Sequence, residues 1–301
     1  MNEFFAAEPS ACRSSAELKS LLGLFGPFSG RYLAEYPAES GWFDTVIAQF
    51  SEAGELEQER VKSLLRRARE NSRLLVRRGL AWNPGEPWLE NALQHARQIP
   101  PVFSGLVSLD GAQETCALHD LDLPPTAGER IHATPEEYVR ACRTLLLISR
   151  ELYFVDPYLK LNTKRIRDVI KALFGVIAKG GCNKAVFVAR ASEVIGDARP
   201  EVIVGDFRNE LTKLVRDADL RPGFTVEYWF VSDESSQLKM HGRYLLSLKG
   251  GVRLDQGFQT QPDGRKVDVG PVDKVTHDEL FSIFHEGNHD MKIVEMLCLD
   301  F

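Results

Sequence analysis

The sequence predicts an α/β protein, and three observations carry that expectation. Apolar strand-like runs at Leu152–Val155, from Ala185 (AVFVA) and at Phe224–Val231 alternate with helix-period segments at Ile166–Ile177 and Glu201–Asp217. Gly180-Gly181 and Arg221-Pro222-Gly223 punctuate them. Strand, helix, strand, helix, strand, strand then implies a mostly parallel sheet flanked by helices over residues 131–301, whereas residues 1–130 carry mainly helical periodicity and end in a linker.

In the first region, Leu18, Leu21, Leu22 and Leu24 precede the breakers Gly26, Pro27 and Gly30, and Trp42, Val46, Ile47 and Phe50 mark a second amphipathic helix. A third helix runs between Leu56 and Leu75, with Val61, Leu64, Leu65 and Ala68 near one stripe. Arg60, Lys62, Arg66, Arg67, Arg69, Arg73, Arg77 and Arg78 crowd its other faces and the residues that follow, interleaved with Glu57, Glu59 and Glu70. Such a face binds phosphates or an acidic partner, or is a solvated surface balanced by its own glutamates. Asn83-Pro84-Gly85 is a turn, a helix starts at Pro87, and Val102–Asp110 reads as a short strand. Asp110-Gly111, Pro124-Pro125 and Gly128 lead across the boundary.

Thr134-Pro135-Glu136-Glu137 is an N-cap, a first-turn proline and a capping-box glutamate. Near the end, Thr276 caps an expected helix from His277 to about His285, and Met291–Leu299 reads as a terminal strand.

Hydrophobic residues make up 44% and charged residues 27% of the 301, the composition of an ordinary globular protein. No apolar run of membrane-spanning length and no signal-like N-terminus is visible, so the expectation is a cytoplasmic protein without membrane contact. The cysteines Cys12, Cys116, Cys142, Cys182 and Cys298 form no CxxC pair and read as reduced thiols. A net charge of −6 confines any nucleic-acid binding to a local patch.

The chemistry concentrates in Met240–Phe258, MHGRYLLSLKGGVRLDQGF. Read as a strand over Met240–Leu248, alternation puts His241, Arg243, Leu245 and Ser247 on one face and Tyr244, Leu246 and Leu248 on the other. Gly250-Gly251 allows a turn or the approach of a phosphate, and the return strand brings Asp255 and Gln256 back. A nucleophilic imidazole beside a fixed cation points to phosphate chemistry. Asp156, at the end of the first strand before Pro157, is a further site candidate or an Asx turn. The second H-x-R, His95-Ala96-Arg97, falls on a helix, where residues two apart do not share a face. A rival spelling, His285-Glu286-Gly287-Asn288-His289, matches the HExxH of zinc proteases. Gly287-Asn288 is a helix-ending pair, and no third ligand follows at a metzincin spacing.

On His241-Gly242-Arg243 with its flanking apolar residues and following glycines, and on the YFVDPYL segment, residues from Thr134 onward resemble one catalytic half of the phospholipase D superfamily, whose signature is H-x-K-x(4)-D. Arginine stands for lysine, and Leu248 falls where the signature aspartate would, with Asp255 as substitute and Gln256 or Gln259 in place of the usual asparagine. The resemblance implies a metal-independent phosphodiesterase of nuclease type with no cofactor, acting on nucleic acid: His241 attacks phosphorus, Arg243 holds the non-bridging oxygens, and Ser247, Gly250, Gly251, Gln256 and Asp156 border the substrate. It also implies a homodimer through the C-terminal domain, which supplies the second histidine. His277 and His285 are the fallback acids, and the N-terminal region takes a protein or target partner, as in bacterial defence systems. The alternatives are a degenerate domain of the same fold that binds without turnover and, more remotely, a zinc metalloprotease.

Overall fold

The computed structural model describes residues 3–38, 41–76, 79–109, 111, 114–121, 123, 127–196, 198–263 and 265–301. The chain divides into two compact units, residues 2–126 and 127–301. The α/β class holds in both.

The N-terminal unit contains β1 (Glu3–Ala7), α1 (Ser15–Gly23), β2 (Arg31–Glu35), α2 (Trp42–Gln49), α3 (Glu55–Glu70), β3 (Leu74–Val76), α4 (Trp88–Ala96), β4 (Gly105–Ser108) and β5 (Cys116–Ala117). The helices match the periodicity, but the expectation of a mainly helical region is corrected. A five-stranded parallel sheet, ordered β3-β2-β1-β4-β5, forms its centre. Strands buried on both faces do not alternate: every residue of β2 is buried, including Arg31 on Glu3 and Glu35 on Arg69. Such short runs carry no period-2 signal between strongly periodic helices.

Around this sheet the basic face of α3 is largely balanced. Arg69 makes two hydrogen bonds of 2.5 Å to the buried Glu35 and lies 3.8 Å over the Phe43 ring, and Arg60 and Lys62 pair with Glu57 and Glu59. Arg77 and Arg78, like Asp110, Pro124 and Pro125, lie outside the described residues. His95 is buried, its Nε2 2.9 Å from the Ala81 carbonyl, while Arg97 pairs with Glu114. That copy of H-x-R is structural.

The C-terminal unit begins with β6 (Glu129–His132), which straddles the expected 130/131 boundary because it pairs with a strand far downstream. It continues with α5 (Pro135–Ile148), β7 (Glu151–Val155), α6 (Lys164–Ile177), β8 (Lys184–Arg190), α7 (Ala191–Val194), α8 (Pro200–Asp217), β9 (Thr225–Ser232), β10 (Tyr244–Ser247), β11 (Gly250–Leu254), β12 (Lys266–Pro271), α9 (Lys274–Phe284) and β13 (Lys292–Asp300). Its eight-stranded sheet runs β13-β9-β8-β7-β10-β11-β12-β6. Parallel pairing is confined to β7, β8 and β9, and the remaining neighbours are antiparallel. The sheet is thus mixed rather than mostly parallel, because the short connection from β10 to β11 permits only a hairpin.

Thr134 caps α5 through its Oγ1, which accepts from Glu137 N. The cap of α9 is Asp273, not Thr276: Asp273 Oδ1 accepts from Thr276 N and starts the helix three residues before His277.

Two cores cover the sheet. On one face Phe154, Phe174, Phe187, Phe207 and Tyr228 pack in an aromatic layer under α5, α6 and α8, with Phe154 and Phe187 stacked at 4.8 Å. On the other, α9 covers Tyr153, Val186, Val188 and Leu246 with Ile283 and Phe284. All five cysteines are unpaired. Among the described residues no helix is long and apolar enough to cross a membrane.

Phe187 touches three rings at the centre of the aromatic layer. Phe187→Ala is expected to cost the C-terminal unit about 3–5 kcal/mol. Hydrogen exchange read by mass spectrometry should show protection falling in β7–β9 and unchanged in β1–β4.

Candidate functional site

Because β10 runs antiparallel to β7, with Tyr244 opposite Val155, the residues before β10 emerge at the edge where β7, β8 and β9 end. Each of those ends carries a charged side chain: Asp156 follows β7, Arg190 closes β8 and Asp233 follows β9. Ligands of open α/β sheets bind at such carboxyl ends, where strand order reverses. β11 returns to the same edge, so Asp255 and Gln256 arrive beside Arg243.

His241-Gly242-Arg243 therefore precedes β10 instead of lying within it, which corrects the expected Met240–Leu248 strand. Arg243 Nη1 donates to the Asp255 carbonyl at 2.6 Å, its Nε lies 3.6 Å from Asp156 Oδ1, and its guanidinium sits 5.3 Å from the Tyr158 ring centre. Asp156 is buried and accepts from Tyr158 N (2.9 Å) and Phe258 N (3.3 Å). The Asx turn and the contact with Arg243 thus coexist in one residue. Burial raises the Asp156 pKa, and the Tyr158 amide, Arg243 and the Phe258 amide offset it only in part.

Two glycines permit this crowding. A Cβ on Gly257, at φ +68°, would lie 2.0 Å from Asp156 Oδ2 and 2.7 Å from Arg243 Cδ, and one on Gly242 would lie 2.1 Å from the Tyr244 ring.

The Met240 peptide, just before His241, is held from both sides. Asp233 Oδ2 accepts from Met240 N at 2.8 Å and from Arg190 Nη2 at 3.0 Å, while Arg190 Nη2 also donates to the Met240 carbonyl. Burial opposes the Asp233 charge, but the Met240 amide and Arg190 outweigh it and lower the pKa. Lys239 Nζ donates to the Asp233 and Glu234 carbonyls. His241 itself is exposed. Sequence reasoning missed Arg190, Asp233 and Gly257. A charged residue directly after each apolar run was the available signal for the first two.

Several expected site residues lie elsewhere. The hairpin turn is Leu248-Lys249, so Ser247, Gly250 and Gly251 stand at the far end of β10, about six residues or roughly 20 Å from His241. Ser247 is buried there, its Oγ accepting from Lys249 N at 3.0 Å. Leu248 is 69% exposed at that turn, so a carboxylate in its place could not reach His241 either. Its departure from the signature removes nothing from this edge. The Asp255 carboxylate accepts from Gln256 Nε2 at 3.2 Å, and only the Asp255 backbone meets Arg243. Gln259 Nε2 donates to the Gln256 carbonyl.

The fallback acids are also remote. His277 is buried with Nε2 2.8 Å from the Ser247 carbonyl, and His285 Nδ1 is 2.8 Å from the Tyr153 hydroxyl and 3.6 Å from Glu151 Oε2 at the start of β7. His132 ends β6 near the His241 edge but three strands across, roughly 14 Å. The HEGNH segment is not helical: α9 stops at Phe284 and Gly287 has φ +74°, so its histidines are not set one helical turn apart. Among the described residues no group of three His, Cys, Asp or Glu side chains has the spacing of a metal site.

Gly257→Ala is expected to destabilise the C-terminal unit by about 2 kcal/mol or more in urea unfolding, through strain at positive φ and a clash with Asp156. Since the folded chain raises the Asp156 pKa, the stability this residue contributes is full below its unfolded value and is lost as pH rises through the folded one. The stability of the wild type relative to Asp156→Asn should therefore fall as pH rises above about 4, the unfolded value, measured by urea unfolding.

No family model and no curated protein matches the chain. Among solved structures it is similar to TrmBL2, an archaeal chromatin protein described as showing a novel mode of DNA binding, at 11% identity, over 82% of this chain and 87% of that one, with a TM-score of 0.31. At that TM-score the likeness carries neither fold nor function to this chain.

Proposed function

We propose that the C-terminal unit is a phospholipase D-like domain that acts on phosphodiesters without a metal, with nucleic acid as substrate. The carrying observation is the Arg243 guanidinium, fixed by Asp156 and the Asp255 carbonyl beside the exposed His241, at the edge where three parallel strands end. Among the described residues Nη2 of Arg243 makes no hydrogen bond, which leaves one donor edge for a phosphate oxygen.

In this reading neutral His241 attacks phosphorus, a P–N bond forms as the P–O bond to the leaving group breaks, and Arg243 balances the charge growing on the non-bridging oxygens. A second imidazole protonates the leaving oxygen, and water then hydrolyses the phosphohistidine. His277 and His285 stand at the opposite edge, and in this reading the second imidazole is His241 of another copy, in a symmetric dimer. Asp255 acts through its backbone, as a support for Arg243. The N-terminal unit serves partner or target binding, and the setting is the cytoplasm, where five unpaired thiols stay reduced.

A second reading, recognition without turnover, is favoured by the Asp156 carboxylate 3.6 Å from Arg243, which already balances part of the charge a phosphate would meet. Cleavage of single- and double-stranded DNA and RNA in excess EDTA separates the two. The proposed enzyme cuts under these conditions, loses about a thousandfold or more in His241→Ala, and loses about a hundredfold in Arg243→Ala. Binding without cutting, abolished in Arg243→Ala, selects the recognition module. A strict monomer in sedimentation that still cuts would exclude the shared histidine.

A further inference from the structure

Tyr158 stands beside Arg243 and has no part in the phosphoryl chemistry. Its backbone is fixed: the amide donates to Asp156 Oδ1 at 2.9 Å, the carbonyl accepts from Lys160 N at 2.7 Å, and the neighbours Pro157 and Leu159 are buried. The ring is not buried with them. Tyr158 is 44% exposed, and among the described residues its hydroxyl makes no hydrogen bond and its ring meets only the Arg243 guanidinium, 5.3 Å from the ring centre. An exposed tyrosine is ordinary by itself. This one is locked to the strand end that also fixes Arg243, with its ring against that arginine.

A phosphate oxygen accepting from Arg243 Nη2 lies about 2.8 Å from it, which puts phosphorus within about 11 Å of the Tyr158 ring centre. The flat group nearest a held phosphate is the base of its own nucleotide, so the base is what comes within reach of the ring. In a duplex both faces of a base are covered by neighbouring pairs, and presenting one to a side chain costs unstacking. An unpaired base presents its face freely, whatever its identity.

Charge along the loop from β7 to α6 favours a chain of phosphates over a single one. Residues 157–165, PYLKLNTKR, hold three cations and no acid, and among the described residues Lys160, Lys164 and Arg165 enter no ion pair. A strand that passes Tyr158 therefore meets positive potential beyond Arg243, in a protein whose net charge is −6.

We infer that Tyr158 is the base platform of the His241 edge, and that the substrate is single-stranded nucleic acid, held by a phosphate at Arg243 and by one unpaired base on the Tyr158 ring. The inference rests on the phosphodiester reading of this edge, whether the edge cuts or only binds. Tyr158 touches no reacting atom and sets which substrate is accepted.

Fluorescence anisotropy of the full chain carrying His241→Ala, in EDTA, tests this without turnover. The probes are a labelled oligothymidylate of about twelve residues, an abasic strand of the same length and a blunt duplex of that length. Oligothymidylate is expected to bind about tenfold tighter than either of the others. Tyr158→Ala should remove that tenfold and leave the abasic strand and the duplex unchanged, Tyr158→Trp should keep it, and the far-UV spectra should match. Equal binding of oligothymidylate and the abasic strand, or oligothymidylate affinity unchanged in Tyr158→Ala but abolished in Arg243→Ala, overturns the platform and leaves the phosphodiester reading standing. Equal weakening of all three probes in Tyr158→Ala means that the ring only supports Arg243, and overturns the platform as well. Duplex binding as tight as that of oligothymidylate overturns the single-strand assignment. Failure of every probe to bind overturns the platform and the phosphodiester reading together.

Discussion

A carboxylate buried at the end of a central strand must be met by donors, and much of the His241 edge is arranged to meet Asp156. Two amides, from Tyr158 and Phe258, and the guanidinium of Arg243 converge on it. To bring the Phe258 amide in, the chain after β11 bends through a left-handed residue whose missing side chain makes room for the carboxylate and the arginine together. Removing any of these parts exposes the cost of an unmatched buried charge. The result is an arginine with a defined position and one donor edge left over.

Alongside it runs a second device made of the same materials. Arg190 and Asp233 close around the Met240 peptide, so the residue before His241 is held by hydrogen bonds from two different strand ends. Both devices use charged side chains to fix backbone, which lets His241 be exposed without being loosely placed. Held backbone supporting a free side chain is the usual economy of a site built on rigid elements.

Much of the C-terminal architecture was legible because its helices are strongly amphipathic and its strands are bounded by clear breakers. Arg243 beside His241 followed from strand alternation, Asp156 from its place at a strand end, and the return of Asp255 and Gln256 from the expected hairpin. The N-terminal sheet was not legible: Phe4–Ala7, Tyr32–Ala34 and Leu74-Leu75 are short runs buried on both faces, and nothing in their spacing separates them from pieces of helix. The turn at Leu248-Lys249 was misplaced by two residues because glycines mark turns so often. Here Gly251 is needed inside the strand, where a Cβ would press on Leu246 and Val272. That small shift moved Ser247, Gly250 and Gly251 from one end of the sheet to the other. Arg190 and Asp233 went unread because they pair across two strand ends and with the Met240 peptide, contacts that no spacing along the chain marks beyond a charged residue after each apolar run.

The sheet order also governs how the unit can assemble. β7, β8 and β9 join through crossovers of moderate length, and β10 and β11 form a tight hairpin, so the middle of the sheet can grow from contacts between near neighbours in the chain. β6 is different: it is made first yet pairs only with β12, His132 beside Lys266, after nearly all of the sheet has been added between them. Closing so long a loop yields little until the rest is in place, and the entropy of that closure makes β6 a late arrival. During synthesis on the ribosome the first strand of this unit waits, solvent-exposed, for almost the last.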